Sequence, residues 1–422
     1  MKKILLAVAC CAMTLLAQAN PTHKVKINDG LTVSVEACSG SIFRIKVSPR
    51  KDFTESLMER YELIKTDWSE VKTDISDKGG VWTLKTPEYS LAINKKTGVM
   101  TVKDAKGGKV IREVRFLPEK EGLCGEMRSF INEKYADLKV ADNGGGIIGD
   151  DNGKFGEVDK HEIPAADAVS ILSFSMEDGE RFYGGGSTSR DHIQHRGEFL
   201  RMWTTYQQTE IPMPFMMSSR GWGVYNNSTR KSFFDIGNQQ KSKFNIINTF
   251  DEADFFLMMG KDMPAILNEY TLVTGRTYVL PKWAYGLCFG PNMREEQFDI
   301  LNDAVRFRQF DVPCDVFWLE PQWMEKRYDF STKKKWNYDR FSPEPYWLQD
   351  QYPKTMHNRL FIGKLRSMGF HLGLWLCEEY DLSIQEEDII AERTGGKLSG
   401  QEHWMDHLTV FMDQGVEGFK LD

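Results

Sequence analysis

The final stretch, Gly415-Val416-Glu417-Gly418-Phe419-Lys420-Leu421-Asp422, has the pattern of a short buried parallel strand that ends on a carboxylate. Three earlier apolar runs resemble it. They are Tyr285-Gly286-Leu287-Cys288-Phe289, Val316-Phe317-Trp318-Leu319-Glu320, and His371-Leu372-Gly373-Leu374-Trp375-Leu376 followed by Cys377-Glu378-Glu379. Helix-like or long inserts separate the runs, and three of the four run into acids. Strands alternating with helices predict a parallel sheet covered by helices. Four such units predict the first half of a (β/α)8 barrel, a fold whose active site lies at the carboxyl ends of the strands.

The preceding two thirds of the chain follow a different period. Leu31-Thr32-Val33-Ser34-Val35, Ile42-Phe43-Arg44-Ile45-Lys46-Val47 and Tyr89-Ser90-Leu91-Ala92-Ile93 alternate every second residue. Turn signals such as Asn28-Asp29-Gly30 and Lys96-Thr97-Gly98 stand between such runs. This pattern predicts an antiparallel β-sandwich. A helix over Pro264 to Thr271 and then Pro281-Lys282-Trp283 mark the change of period. The expected division is a leader over 1–19, a sandwich over 20–278 and a half barrel over 279–422.

The leader is a secretory signal in form. Lys2-Lys3 precedes an apolar run over Ile4 to Leu16, and Ala17-Gln18-Ala19 offers a cleavage site. Export to the periplasm or the outside is therefore expected. The net charge is −7, and removing two lysines with no acid makes the mature chain −9. That balance disfavours nucleic acid as a partner. Five cysteines remain after the leader (Cys38, Cys124, Cys288, Cys314 and Cys377), too sparse for a disulfide scaffold. Cys288, Cys314 and Cys377 are expected to act as small hydrophobes on or beside buried strands.

Asp422 is the leading catalytic candidate, because a carboxylate ending a barrel strand faces the mouth. Glu320 and Glu378 or Glu379 share that geometry. Paired carboxylates around one mouth suit glycoside hydrolysis, which needs an acid for the leaving oxygen and a carboxylate to attack. Lys420, two residues before Asp422, shares its face and would hold it ionised, unless it packs instead against a neighbouring acid. Of the tryptophans near the mouth (Trp318, Trp323, Trp336, Trp347 and Trp375), one or two are expected to carry sugar, with Trp318, Trp323 and Trp375 the candidates. Gly184-Gly185-Gly186 has no Gly-Lys-Ser/Thr and no helix after it, so a turn is expected there rather than a phosphate loop. His403 and His407 sit at helical spacing, but no third zinc ligand is in view, so no metal or other cofactor is expected.

At these residues the chain resembles glycoside hydrolase family 31, the retaining α-glycosidases. The resemblance is carried by Glu180-Arg181-Phe182-Tyr183-Gly184-Gly185-Gly186, by Ile211 through Val224, by Pro281-Lys282-Trp283-Ala284-Tyr285-Gly286, by Pro313 through Leu319, and by Gly418-Phe419-Lys420-Leu421-Asp422. It implies that Asp422 is the nucleophile and that a second Asp, further along, is the acid and then the base. It also implies that this chain is an incomplete fragment, inactive alone. Family α-glucosidases follow the second strand with an Asp-x-Asp pair that binds sugar hydroxyls. Here Glu320-Pro321-Gln322 stands in that place, so Glu320 and Gln322 should reshape the site. Tyr328-Asp329-Phe330-Ser331 and Lys335-Trp336 resemble a branch acting on galacto-configured sugars such as α-N-acetylgalactosaminides. Two other readings remain open: a carbohydrate-binding remnant without chemistry, and a metal-dependent lyase or aldolase using Glu320, Glu378 and Asp422.

Overall fold

The computed structural model describes residues 20–28, 30–60, 62–118, 122–134, 148–149, 155–156, 170–187, 192–202, 211–291, 296–327, 329, 334–341, 360–376 and 408–421. Asp422, Glu378, Glu379, the leader, His403, His407 and Trp347 lie outside the described residues. The chain divides into two compact units, with the change between Arg276 and Thr277.

The first unit is built from two antiparallel sheets. The seven-stranded sheet runs in the order His23–Lys26, Thr32–Ala37, Ile42–Ser48, Ala253–Met259, Trp222–Asn226, Ile211–Ser218, Phe182–Ser187. The nine-stranded sheet runs Phe199–Met202, Ser232–Ile236, Lys243–Asn248, Ser170–Ser175, Lys109–Pro118, Met100–Asp104, Tyr89–Asn94, Val81–Lys85, Asp74–Lys78. The two-residue period explains the layering. Phe43, Ile45 and Val47 enter the large core shared with Leu91, Ile93, Phe174 and Phe244 of the other sheet. Ile42, on the opposite face, joins Phe256, Met258, Ile266 and Tyr270 beneath the helix Met263–Thr274. That helix starts where Asp262 accepts a hydrogen bond from the Ala265 amide at 2.9 Å, an N-cap that satisfies one otherwise free donor.

Two features differ from the sequence expectation. Gly184-Gly185-Gly186 is not a turn but part of the strand Phe182–Ser187, with a register shift between Gly184 and Gly186. A Cβ on either of those two residues would run into the backbone of Ile211–Ser218, and their φ values of 131° and 72° also favour glycine. The helix Gly122–Lys134 was not foreseen. Among its apolar residues, Leu123, Met127, Phe130 and Ile131 pack in a small core with Phe199 and Phe233.

The second unit carries a four-stranded parallel sheet in sequence order: Cys288–Phe289, Val316–Leu319, His371–Leu376 and Gly418–Leu421. Helices Gln297–Gln309 and Leu360–Ser367 precede the second and third strands, and Thr409–Asp413 precedes the fourth. The first strand is much shorter than the expected Tyr285–Phe289. Lys282–Tyr285 forms a 3-10 turn after Pro281, and the Asp315 carboxylate lies so close to Gly286 that no side chain fits there. Cys288 is exposed rather than buried, because Phe289, its alternate, takes the face packed on Phe307 and Phe317. Arg308 closes the bottom of this unit. Its guanidinium donates to the carbonyls of Met368 and Cys314 at 2.8 and 3.0 Å and lies 3.6 Å over the Phe370 ring. No described helix is long and apolar enough to cross a membrane.

Candidate active site

Register assigns the side chains to faces. Val316 pairs with His371, Trp318 with Gly373, Gly373 with Gly418, and Trp375 with Lys420. Phe317, Leu319, Leu372 and Leu374 point to the helices, where they meet Ile300, Ala304, Phe361 and Leu365 in one core. The alternate residues, Trp318, Gly373, Gly418 and Lys420, share the opposite face.

Trp318 is the half-buried aromatic of that face. Its ring lies across the third and fourth strands and can do so only because they carry glycine. A Cβ on Gly373 would stand inside the ring, and one on Gly418 would come within 3.0 Å of it. Gly373→Ala is therefore expected to cost roughly 1–3 kcal/mol by overpacking. Thermal melting of the single variant and of Gly373→Ala with Trp318→Leu checks this: the second change should restore part of the loss. A Gly373→Ala protein that melts with its parent would show that the ring has room to move.

Glu320 follows the second strand, and Lys420 lies on the fourth. Lys420 Nζ donates to Glu320 Oε1 at 3.2 Å, reaching across the third strand between them. The lysine therefore packs against a neighbouring acid, as one of its two sequence readings had it. The lysine side chain is 45% exposed and that of Glu320 16%, so the pair sets orientation and local charge more than stability. After Glu320 the chain makes a 3-10 turn, Pro321–Trp323, in which the Trp323 amide donates to the Glu320 carbonyl at 3.1 Å. The turn carries Gln322 beside the acid. Its Oε1 is shielded from solvent and has no hydrogen-bond partner among the described residues. A buried acceptor left in that state calls for a donor.

Two of the three predicted aromatic sugar contacts need correcting. Trp323 is fully buried, and its indole N–H donates to the Trp375 carbonyl at 2.9 Å. It packs edge-on against Trp336 and Phe411 at 5.2 and 5.1 Å. Trp375 is only 5% exposed. Trp323 is core, since a buried indole whose N–H is already paired is held by packing, and Trp375, although in register with Lys420, is buried in the same cluster. Trp336 is core too, with its N–H on Gln414 Oε1 at 2.6 Å. The start of the long insert after the second strand thus folds back, bridging Met324 to Trp336. Trp318, Glu320 and Lys420 are brought to one face, and Gln322 follows in the turn, whereas Asp422 and Glu378 lie outside the described residues. The sequence reasoning missed Gly373 and Gly418 as the seat of Trp318. Their signal was small residues in phase with a tryptophan. Among the described residues, no three His, Cys, Asp or Glu side chains converge as a metal would need.

Residues 32–235 match the family model of the glycosyl hydrolase 31 N-terminal galactose mutarotase-like domain. Residues 277–422 match that of the glycosyl hydrolases family 31 TIM-barrel domain. An α-xylosidase of Emericella nidulans is 22% identical over 310 residues, 66% of this chain and 37% of that protein. An α-xylosidase of Saccharolobus solfataricus is 27% identical over 317 residues, 69% of this chain and 39% of that one. The chain thus spans less than two-fifths of the length of these curated relatives. In fold it resembles a Flavobacterium johnsoniae dextranase of the same family, solved with glucose. The TM-score is 0.63 and the identity 18%, over 96% of this chain and 47% of that one.

Proposed function

Because the chain belongs to glycoside hydrolase family 31, we propose that it carries the nucleophile side of a retaining exo-α-glycosidase acting on terminal α-linked sugars. One observation carries the reading: Trp318, Glu320 and Lys420 share one face at or near the carboxyl ends of parallel strands, Lys420 standing two residues before Asp422 in sequence. In this reading the four strands are the first half of a (β/α)8 barrel. The Asp422 carboxylate attacks the anomeric carbon while an acid protonates the departing oxygen. Water then hydrolyses the glycosyl-enzyme with the second residue acting as base. That acid/base is expected on a later barrel strand, beyond residue 422. Lys420, two residues before the nucleophile in sequence and held by Glu320, sets the local charge and orientation of that acid. Trp318 offers an aromatic face to the sugar.

Glu320 and Gln322 stand where an acid pair would bind the hydroxyls of an α-glucoside, which supports a different sugar. The α-xylosidases among the relatives support an α-xyloside, which lacks the hydroxymethyl arm. The segment around Asp329 and Lys335 supports a galacto-configured sugar instead. The leader over 1–19 supports export, with Asn20 as the first residue of the mature protein.

The test uses the product of the full gene, recovered from outside the cytoplasm. It is assayed on aryl α-xyloside, α-galactoside, α-N-acetylgalactosaminide and α-glucoside, with the first-released anomer followed by NMR. Release with retention is expected, with at least about tenfold higher kcat/KM on one of the first three than on the glucoside. A preference for the glucoside would sink the reading of Glu320 and Gln322. No turnover on any of the four would favour a binding protein.

A further inference from the structure

A second concave site lies wholly within the first unit. A cleft of about 180 Å³ opens between the ends of the strands Ile42–Ser48 and Ala253–Met259, the segment 50–56 and the turn 227–230. At ~30 Å³ per water it holds about six, room for one sugar ring rather than a chain of them.

Most of the charges of its wall are matched to one another; Glu55 and Arg230 line it as well, with Arg230 5.8 Å over the Phe250 ring. Arg50 grips Asp251 with both terminal nitrogens, at 3.0 and 3.1 Å, and Glu252 through Nε at 3.1 Å. Lys46 Nζ lies 3.1 Å from Glu59, and Asp254 is held by Arg44. A charged ligand would compete with these pairs, which favours a neutral one. The wall is nonetheless polar. Asn227 is only 3% exposed, and its amide donates to Ser56 Oγ at 3.0 Å and to Asp254 Oδ2 at 2.7 Å. Its Oδ1 is buried with no donor opposite it, and an unpaired buried acceptor is costly. The hydroxyls of Thr54 and Ser228 also line the cleft. So do two aromatic rings, Phe53 and Phe250, suited to the C–H faces of a ring.

A neutral ligand bearing hydroxyls and an apolar face suits the residues Thr54 and Ser228 together with the two rings. We propose that this cleft binds a single saccharide residue. The proposal does not rest on the strand-end chemistry: the site can bind sugar whether or not the protein hydrolyses it.

Isothermal titration of the full chain with methyl α-D-xylopyranoside, methyl α-D-glucopyranoside and methyl α-D-galactopyranoside tests it, with inorganic sulfate as the charged probe. Thr54→Trp fills the mouth of the cleft from an exposed position without removing any hydrogen bond described for that side chain. Phe53→Ala removes one ring. At least one methyl glycoside is expected to bind with an affinity that falls about tenfold or more in Thr54→Trp and several-fold in Phe53→Ala. The melting temperature and any turnover of aryl glycosides should stay unchanged. If Thr54→Trp lowers the melting temperature, the Phe53→Ala arm decides alone. Glycoside binding that neither variant weakens would overturn the proposal. So would binding of sulfate in place of the sugars.

Discussion

Asn in place of Asp422 is expected to lower kcat on aryl α-glycosides by about 10⁴-fold or more, the scale seen when a covalent nucleophile is removed. The amide keeps the shape of the carboxylate but neither attacks the anomeric carbon nor stabilises the positive charge that develops there. Asp422→Gly adds a sharper test, because it opens space beside the anomeric carbon. Azide should then restore part of the rate and yield a glycosyl azide of the opposite anomeric configuration, since only one displacement has occurred. The position argues for this outcome. In sequence it directly follows Gly418–Leu421, a strand whose register with His371–Leu376 is fixed. Lys420, two residues before it in sequence, has its ammonium 3.2 Å from Glu320. An Asp422→Asn protein that keeps a tenth or more of the parent kcat would assign the nucleophile elsewhere. Loss of activity on chelation would instead favour the metal-dependent alternative.

The site was legible in part, and for identifiable reasons. Alternation places Trp318, Lys420 and residue 422 on one face as soon as the strands are recognised, and parallel neighbours keep that phase. Alternation does not tell how deep a side chain sits. Trp375 pairs with Lys420 yet is buried, and Trp323 is drawn into the core by the turn that follows Glu320. Composition alone cannot distinguish a tryptophan that faces a sugar from one that fills a gap. The sandwich was read where its period is two, as over Ile42 to Val47. It was misread at Gly184-Gly185-Gly186, where glycine serves close strand contact rather than a turn. The helix Gly122–Lys134 did have its signal, with apolar residues at 123, 127, 130 and 131, but Gly122 and Gly125 weaken it. Pairings between distant residues were out of reach. Arg44 and Asp254 are 210 positions apart, and only the pairing of their strands brings them together.

That pair governs the stability of the sandwich. Arg44 donates to Asp254 through Nε and Nη2 at 3.0 and 2.5 Å and to Glu59 through Nη1 at 2.6 Å, with its guanidinium 5.1 Å over the Phe256 ring. Its side chain is 7% exposed, and those of Asp254 and Glu59 are 13% and 16%. Arg44→Ala would leave two largely buried carboxylates with Lys46 as their only described cation, beside the donors of Asn227 and Ser56. A loss of about 3–5 kcal/mol near neutral pH is expected. The pH dependence carries the diagnosis. Burial is the largest influence on Glu59 and pushes its carboxyl up, but the hydrogen bond and charge of Arg44, with Lys46, outweigh it and hold it down from 4.5 to about 2. A depressed carboxyl contributes stability that is full above its unfolded value and is lost as pH falls toward the folded one, here between 4.5 and about 2. Without Arg44 the Glu59 carboxyl rises, so the variant forfeits that contribution at neutral pH and has less of it left to lose in acid. Glu36, raised by burial near the same cluster and lowered by Arg44, moves in the same direction. The gap in melting temperature between parent and Arg44→Ala should therefore be widest near pH 7 and shrink toward about pH 3. A gap that stays constant with pH would mean that the arginine acts through packing on Phe256 rather than through its charge.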